Sequence, residues 1–124
     1  MDTTPETVAV DFDGTLSKGI WDQDPKQCTY EMNIPLINSL IKYKQNGCKV
    51  ILWTCRSNRH LRDAVNKCKE CGLTFNAINS NDPSIYEWAD QFDSPKIFAD
   101  YYIDDRNEFP PNIDVEKIDK ILNG

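Results

Sequence analysis

Only one histidine, His60, occurs among the 124 residues. A thiol nucleophile needs a base, and His60 would have to serve Cys55, so Cys55 reads as a bystander. Zinc ligands are equally scarce. Cys68-Lys69-Glu70-Cys71 has C-x-x-C spacing, but no second pair and no histidine partner accompanies it. The 5 cysteines are an odd number and cannot all pair within the chain, so they read as reduced thiols of a reducing compartment. No apolar run is long enough to span a bilayer. The start, Met1-Asp2-Thr3-Thr4-Pro5-Glu6, lacks the basic and apolar regions of a secretory signal. A soluble, cytoplasmic protein with no membrane partner is the expectation. Basic excess is missing too. The formal net charge is -6, which argues against non-specific binding to a long nucleic acid. A phosphorylated small molecule stays open, because a metal and a few local cations make a positive pocket in an acidic protein. The chain has no internal repeat and no linker, and its length suits one domain rather than two.

What is present alternates between strand and helix. Apolar runs predict strands over residues 7–11, 49–53 and 73–78, and a further one framed by Ile97-Phe98 and Tyr101-Tyr102-Ile103. Ile34, Ile37, Leu40 and Ile41 fall at helical spacing, predicting a helix over 34–45 that ends at Asn46-Gly47. A second helix starts from a cap at Ser57 or Asn58 and runs to about Lys69, with Leu61, Ala64, Val65 and Cys68 on its inner face. Residues 114–122 form a short amphipathic tail helix. The expected fold is α/β: a single Rossmann-like, three-layer domain over residues 1–124 with a central parallel sheet and no cap domain. Two polar stretches read as loops. Residues 16–33, with Trp21, Asp22, Asp24, Pro25 and Tyr30, have room only for a flap. Residues 79–95 have room for one helical turn around 84–89.

The first strand carries the chemistry. In Thr7-Val8-Ala9-Val10-Asp11-Phe12-Asp13-Gly14-Thr15, an apolar run ends on a carboxylate and a second follows two positions later. Carboxylates are poor strand residues, so a strand that ends on one is placing it. Asp11 at the tip can act as a nucleophile. Asp13, on the turn beyond, is near enough to protonate a leaving oxygen and later take a proton from water. Gly14 permits the turn. Two carboxylates this close repel unless a cation lies between them, which points to a bound metal. A D-G turn alone is common; the whole string turns the balance. Thr54 and Asp104 likewise end apolar runs, and parallel α/β sheets bind ligands at the carboxyl ends of their strands.

This string resembles the nucleophile motif of the haloacid-dehalogenase-like superfamily, four apolar residues followed by Asp-x-Asp-Gly-Thr/Val. Ile51-Leu52-Trp53-Thr54 is similar to its second motif and Lys96 to its third. Tyr101-Tyr102-Ile103-Asp104-Asp105 is similar to its fourth, so the resemblance spans roughly residues 6–107. It implies a Mg²⁺-dependent phosphate monoester hydrolase working through an aspartyl phosphate on Asp11, with Asp13 as acid and then base. Thr54 and Lys96 would hold the phosphate. Asp11, the Asp13 backbone carbonyl and Asp104 would hold the metal, and Asp105 would hold Lys96 or the metal's waters. The resembled dehalogenases and phosphonate hydrolases lack an acid at the Asp13 position and the transport ATPases carry Thr there, so Asp13 implies ester hydrolysis. Phosphomutases share the Asp but generally carry a cap.

Arg56 and Arg106 each follow a motif. Thr54-Cys55-Arg56 and Asp104-Asp105-Arg106 resemble strings in the phosphatase half of polynucleotide kinase/phosphatase. Arg56 either grips phosphate as a bidentate fork or pairs with a surface acid, and Arg106 has the same two readings. Trp21 either covers substrate or is an exposed loop residue. Trp53 and Tyr101 read as core or sheet residues and His60 as a helix-surface residue. The expected substrate is a small phosphorylated metabolite, with a homo-oligomer supplying part of the wall of an open site. The alternatives are a nucleotide or polynucleotide 3′-phosphatase and, in another class, a non-catalytic phosphate- and metal-binding protein.

Overall fold

A computed structural model describes residues 6–82, 97–104 and 113–124. Val8, Ala9 and Val10 are almost wholly buried and form the centre of β1 (Thr7–Val10). A strand covered on both faces reads as a continuous apolar run, as this one does. β1 pairs in parallel with β4 (Lys49–Leu52) on one side and with β6 (Tyr101–Ile103) on the other. β5 (Ala77–Ile78) pairs with β4, giving the order β5-β4-β1-β6. The expected α/β, Rossmann-like arrangement is what forms, and no cap is evident among the described residues.

Alternation along the strands sorts the core. Val8, Val10, Val50, Leu52 and Ile103 join one large cluster. Buried residues of α1 (Ile34–Gln45), α2 (Asn58–Glu70) and α3 (Val115–Asn123) complete it. Ala9, Ile51 and Ile97 form a second, smaller cluster with Ala77, Ala99 and Tyr102 against it. Helix α1 starts where expected, with Asn33 as its cap, its side chain accepting from the Leu36 N–H at 3.3 Å. Its buried face is Leu36, Ile37, Leu40 and Tyr43, while Ile34 is 46% exposed. The first helical residue lies ahead of the packed turns, which is why it escapes the apolar stripe. Among the described residues, no helix is long and apolar enough to cross a membrane. All 5 cysteines are free thiols, and burial pushes the Cys68 thiol up to about 12, so that member of the C-x-x-C pair is inert.

Two elements differ from expectation. The strand predicted over 73–78 is confined to Ala77–Ile78. Asn76 is the reason: its side-chain oxygen accepts from the Val50 N–H at 2.9 Å while its own N–H donates to the Val50 carbonyl at 2.8 Å. A side-chain amide has taken a place in the ladder. The flap, expected as loop, is a hairpin of β2 (Ser17–Ile20) and β3 (Thr29–Met32), antiparallel with Ser17 opposite Met32. A 3₁₀ turn, Pro25–Gln27, joins the strands, capped by Asp24, which accepts from the Lys26 N–H at 3.0 Å. Gly19 makes the pairing possible, because a Cβ there would lie 1.9 Å from the Thr29 carbonyl oxygen.

Candidate active site at the carboxyl ends of the sheet

Connectivity fixes where a ligand can sit. From β1 the chain passes to β4 and then to β5 on one side; β6 returns to the other side of β1. Strand direction of travel therefore reverses between β1 and β6, and the crevice at such a point is where open α/β sheets bind ligands. Val10 and Ile103 are paired, and the Asp11 N–H extends the ladder to the Ile103 carbonyl at 2.9 Å. Asp11 and Asp104 are thus the first residues beyond the ends of two adjacent strands. Thr15 donates its hydroxyl to Asp11 Oδ2 at 3.4 Å.

The turn after Asp11 is tight. Gly14 has φ +83°, the left-handed region that glycine enters without strain. Its N–H donates to the Ser17 carbonyl at 2.8 Å, and the Thr15 and Ser17 N–H groups both donate to the Phe12 carbonyl, at 3.2 and 3.0 Å. This knot buries Phe12 and Thr15 and turns the side chain of Asp13 outward, 52% exposed.

Arg56 meets Asp13 there. Its Nε donates to Asp13 Oδ2 at 2.9 Å and its Nη2 to Oδ1 at 2.8 Å, a fork-to-fork pair. The guanidinium lies 4.8 Å from the centre of the Phe12 ring and 5.5 Å from that of Tyr30. Its Nη1 donates to the Tyr30 hydroxyl at 3.1 Å and the His60 carbonyl at 3.3 Å. Tyr30 in turn donates to Asp63 of α2 in a short hydrogen bond. Burial opposes the charge on Arg56, yet the bonds to Asp13 and Tyr30 outweigh it and raise its pKa above the ordinary arginine value. Tyr30 is also raised, by burial and then by its bond to Asp63, so it remains a donor. A flap strand, α2 and the Asp13 turn are joined through one buried cation.

Of the two uses of Arg56 expected from the sequence, the ion pair is present here, its guanidinium buried and its carboxylate half-exposed. Thr54 lies just past β4; its Oγ1 accepts from the Arg56 N–H at 3.1 Å and its N–H donates to Asn79 Oδ1 at 2.8 Å. Asn79 has φ +52°, a conformation asparagine tolerates better than most residues, and it braces the loop that carries Thr54 and Arg56. Trp53 extends the sheet through its N–H to the Val10 carbonyl at 2.8 Å, but its side chain is 36% exposed and not core. His60, expected on a helix surface, stacks on Trp21 of the flap with ring centres 4.8 Å apart. Lys96, Asp105, Arg106 and the helical turn expected around 84–89 lie outside the described residues. Tyr30, Asp63, His60 and Asn79 are the participants that the motif reading did not assign; each acts through a partner distant in sequence.

A Rossmann-like α/β domain with carboxylates at a strand-order reversal defines the class. No protein-family model matches the chain, and no curated protein does so significantly. Among solved structures, a conserved protein from Bacteroides thetaiotaomicron is 31% identical, with a TM-score of 0.70 over 97% of this chain and 90% of that one. The chain belongs to the family of that conserved protein. The 3-deoxy-D-manno-octulosonate 8-phosphate phosphatase of Moraxella catarrhalis, whose structure holds magnesium ion, phosphate ion and a KDO molecule, is 25% identical. That likeness covers 59% of this chain and 40% of the phosphatase at a TM-score of 0.42, too partial to speak for this chain.

Proposed function

We propose that the protein is a Mg²⁺-dependent phosphate monoester hydrolase of the haloacid-dehalogenase-like type, acting on a small phosphorylated metabolite. The observation that carries the reading is the placement of Asp11 beside Asp104 at the strand-order reversal, with Asp13 on the glycine turn two residues later. The four motif-like strings of the sequence fall in the matching order. Among the described residues, no three His, Cys, Asp or Glu side chains form a ready metal cage. Two carboxylates on neighbouring strands are nevertheless the donor set that suits Mg²⁺, which keeps several waters and takes few protein ligands. A transition-metal site would call for nitrogen or sulfur ligands instead. Asp11, Asp104 and the Asp13 carbonyl would hold the ion, which would neutralise charge and orient the phosphate when bound.

In this reading Asp11 attacks phosphorus and the P–O bond to the alcohol breaks, leaving an aspartyl phosphate. Asp13 gives its proton to the departing alkoxide. It then takes a proton from water, which attacks the phosphorus of the intermediate; the bond to Asp11 breaks and inorganic phosphate is released. Thr54, whose Oγ1 already accepts from the Arg56 N–H, retains its own hydroxyl hydrogen for a phosphoryl oxygen. Lys96 takes the cationic role on sequence grounds. Arg56 orients Asp13 through the fork, and in the acid step one Asp13 oxygen leaves the fork to face the leaving group. The test is Asp11→Asn, nearly isosteric and unable to attack. Phosphate release from a panel of esters should fall by several orders of magnitude with an unchanged circular-dichroism spectrum; a folded Asp11→Asn protein that still turns over sinks the mechanism.

A further inference from the structure

Beside Asp13, on the flap side, lies an open cavity of about 290 Å³ lined by Asp13, Trp21, Cys55, Arg56, Ser57 and His60. Its position matters because an acid stands next to the oxygen it protonates, so the alcohol half of an ester extends away from Asp13. That volume is at the low end for ligand sites, enough for one ring and too little for an extended chain of units.

Trp21 is 54% exposed, yet it is not loose. One side stacks on His60, the ring planes 21° apart, and His60 Nε2 lies 2.7 Å from the Asp22 carbonyl, which can only accept, so the proton is on Nε2. Asp22 is tied in turn, its Oδ1 accepting from the Asp24 N–H at 2.8 Å and its N–H donating to Cys28 Sγ at 3.3 Å. A large indole thus stands at the cavity wall, stacked on His60, with over half of its surface uncovered. Ser57 occupies the cap position of α2 but makes no capping bond with its side chain, which leaves its hydroxyl for another partner. Arg56 is the sole cation among the described lining residues, and it is already forked onto Asp13. Among the described lining residues, a second anionic group on the alcohol would find no counter-charge.

We infer that this cavity is the leaving-group subsite and that it selects a phosphate ester whose alcohol is a neutral, hydroxylated ring of monosaccharide size. The ring lies against Trp21 with its hydroxyls toward Ser57 and His60. The inference rests on the hydrolase reading for what the neighbouring Asp13 does, and it names that site's substrate class. An apolar ring face on an indole supplies contact area, and hydroxyls at its edge meet polar groups.

The experiment is calorimetric titration of the wild-type protein with Ca²⁺ in place of Mg²⁺, which keeps Asp11 and Asp104 intact and slows turnover. The probes are glucose 6-phosphate, the open-chain sorbitol 6-phosphate, and AMP. Glucose 6-phosphate should bind about tenfold more tightly than sorbitol 6-phosphate. Adding Trp21→Ala should bring that ratio close to one, while Trp21→Phe, which keeps an aromatic face, should preserve most of it. Equal affinity for ring and chain, a preference that survives Trp21→Ala, failure to bind any probe, or tighter binding of AMP overturns the proposal. Turnover is read separately: a wild-type protein that hydrolyses esters without ring preference loses only this inference. One that prefers rings but releases no phosphate keeps it and loses the hydrolase reading.

Discussion

Asp13 and Arg56 show what one buried cation does for a reactive turn. The guanidinium is held by two rings, a hydroxyl and a backbone carbonyl, so the fork it offers Asp13 has little freedom to move. Lysine keeps the charge but not the fork. Arg56→Lys should lower kcat about ten- to a hundredfold, the usual cost of losing an orienting partner, and should destabilise by about 1–3 kcal/mol through lost packing and hydrogen bonds. Steady-state kinetics and urea midpoints measure the two effects independently. A kcat unchanged in a folded Arg56→Lys protein would count against the orienting role. Asp13→Ala should slow esters of poor leaving groups more than an aryl phosphate, which needs less protonation; equal losses on the phosphorylation step would argue against Asp13 as the acid. The acids were legible in the sequence because they sit in a short contiguous string. The use made of Arg56 was not, since its partner lies 43 positions earlier and only packing brings them together.

At the scale of elements, legibility followed the strength of the local pattern. Helix α1 was readable to the residue because apolar spacing and a glycine stop agree. The flap hairpin was not, since Ser17-Lys18-Gly19-Ile20 and Thr29-Tyr30-Glu31-Met32 alternate only weakly and pair with each other rather than with the main sheet. Its weak point is Gly19. Gly19→Ala would put a methyl group into the Thr29 carbonyl, so β2 and β3 must separate locally. We expect a loss of about 1–3 kcal/mol and faster amide exchange across β2 and β3, with the parallel sheet still protected. Uniform loss of protection would mean that the flap is not a separate unit. The tail helix offers a pH test. Ser39 and Asn123 donate to Asp119 Oδ1 at 2.7 and 2.9 Å, and these bonds, that of Ser39 first, hold its carboxyl below the ordinary value. A lowered pKa adds stability that is fully present above the ordinary carboxylate range and is lost as pH falls through the folded value. Asp119→Asn should therefore cost at most about 1 kcal/mol near neutrality, and the gap to wild type should close in acid. A gap that stays constant with pH would assign the effect to packing.

For the whole molecule, strand order does what no single motif does. The sequence reading could place Asp11 and Asp104 at strand ends, but their adjacency follows only from β6 returning to the far side of β1. Two carboxylates at the ends of adjacent strands are an oxygen donor set for a cation. Metal binding should thus be visible in folding as well as in catalysis. A ligand that binds only the folded state adds about 2.7 kcal/mol at a hundredfold excess over its Kd. Adding Mg²⁺ to chelator-treated protein should raise Tm by several degrees and restore phosphate release. Ca²⁺ should also raise Tm but support less turnover, because its larger and looser shell misplaces the phosphate. Asp104→Asn removes one of the two facing charges. It should abolish most of the Mg²⁺-dependent rise in Tm. A Mg²⁺ response that survives Asp104→Asn would place the cation elsewhere.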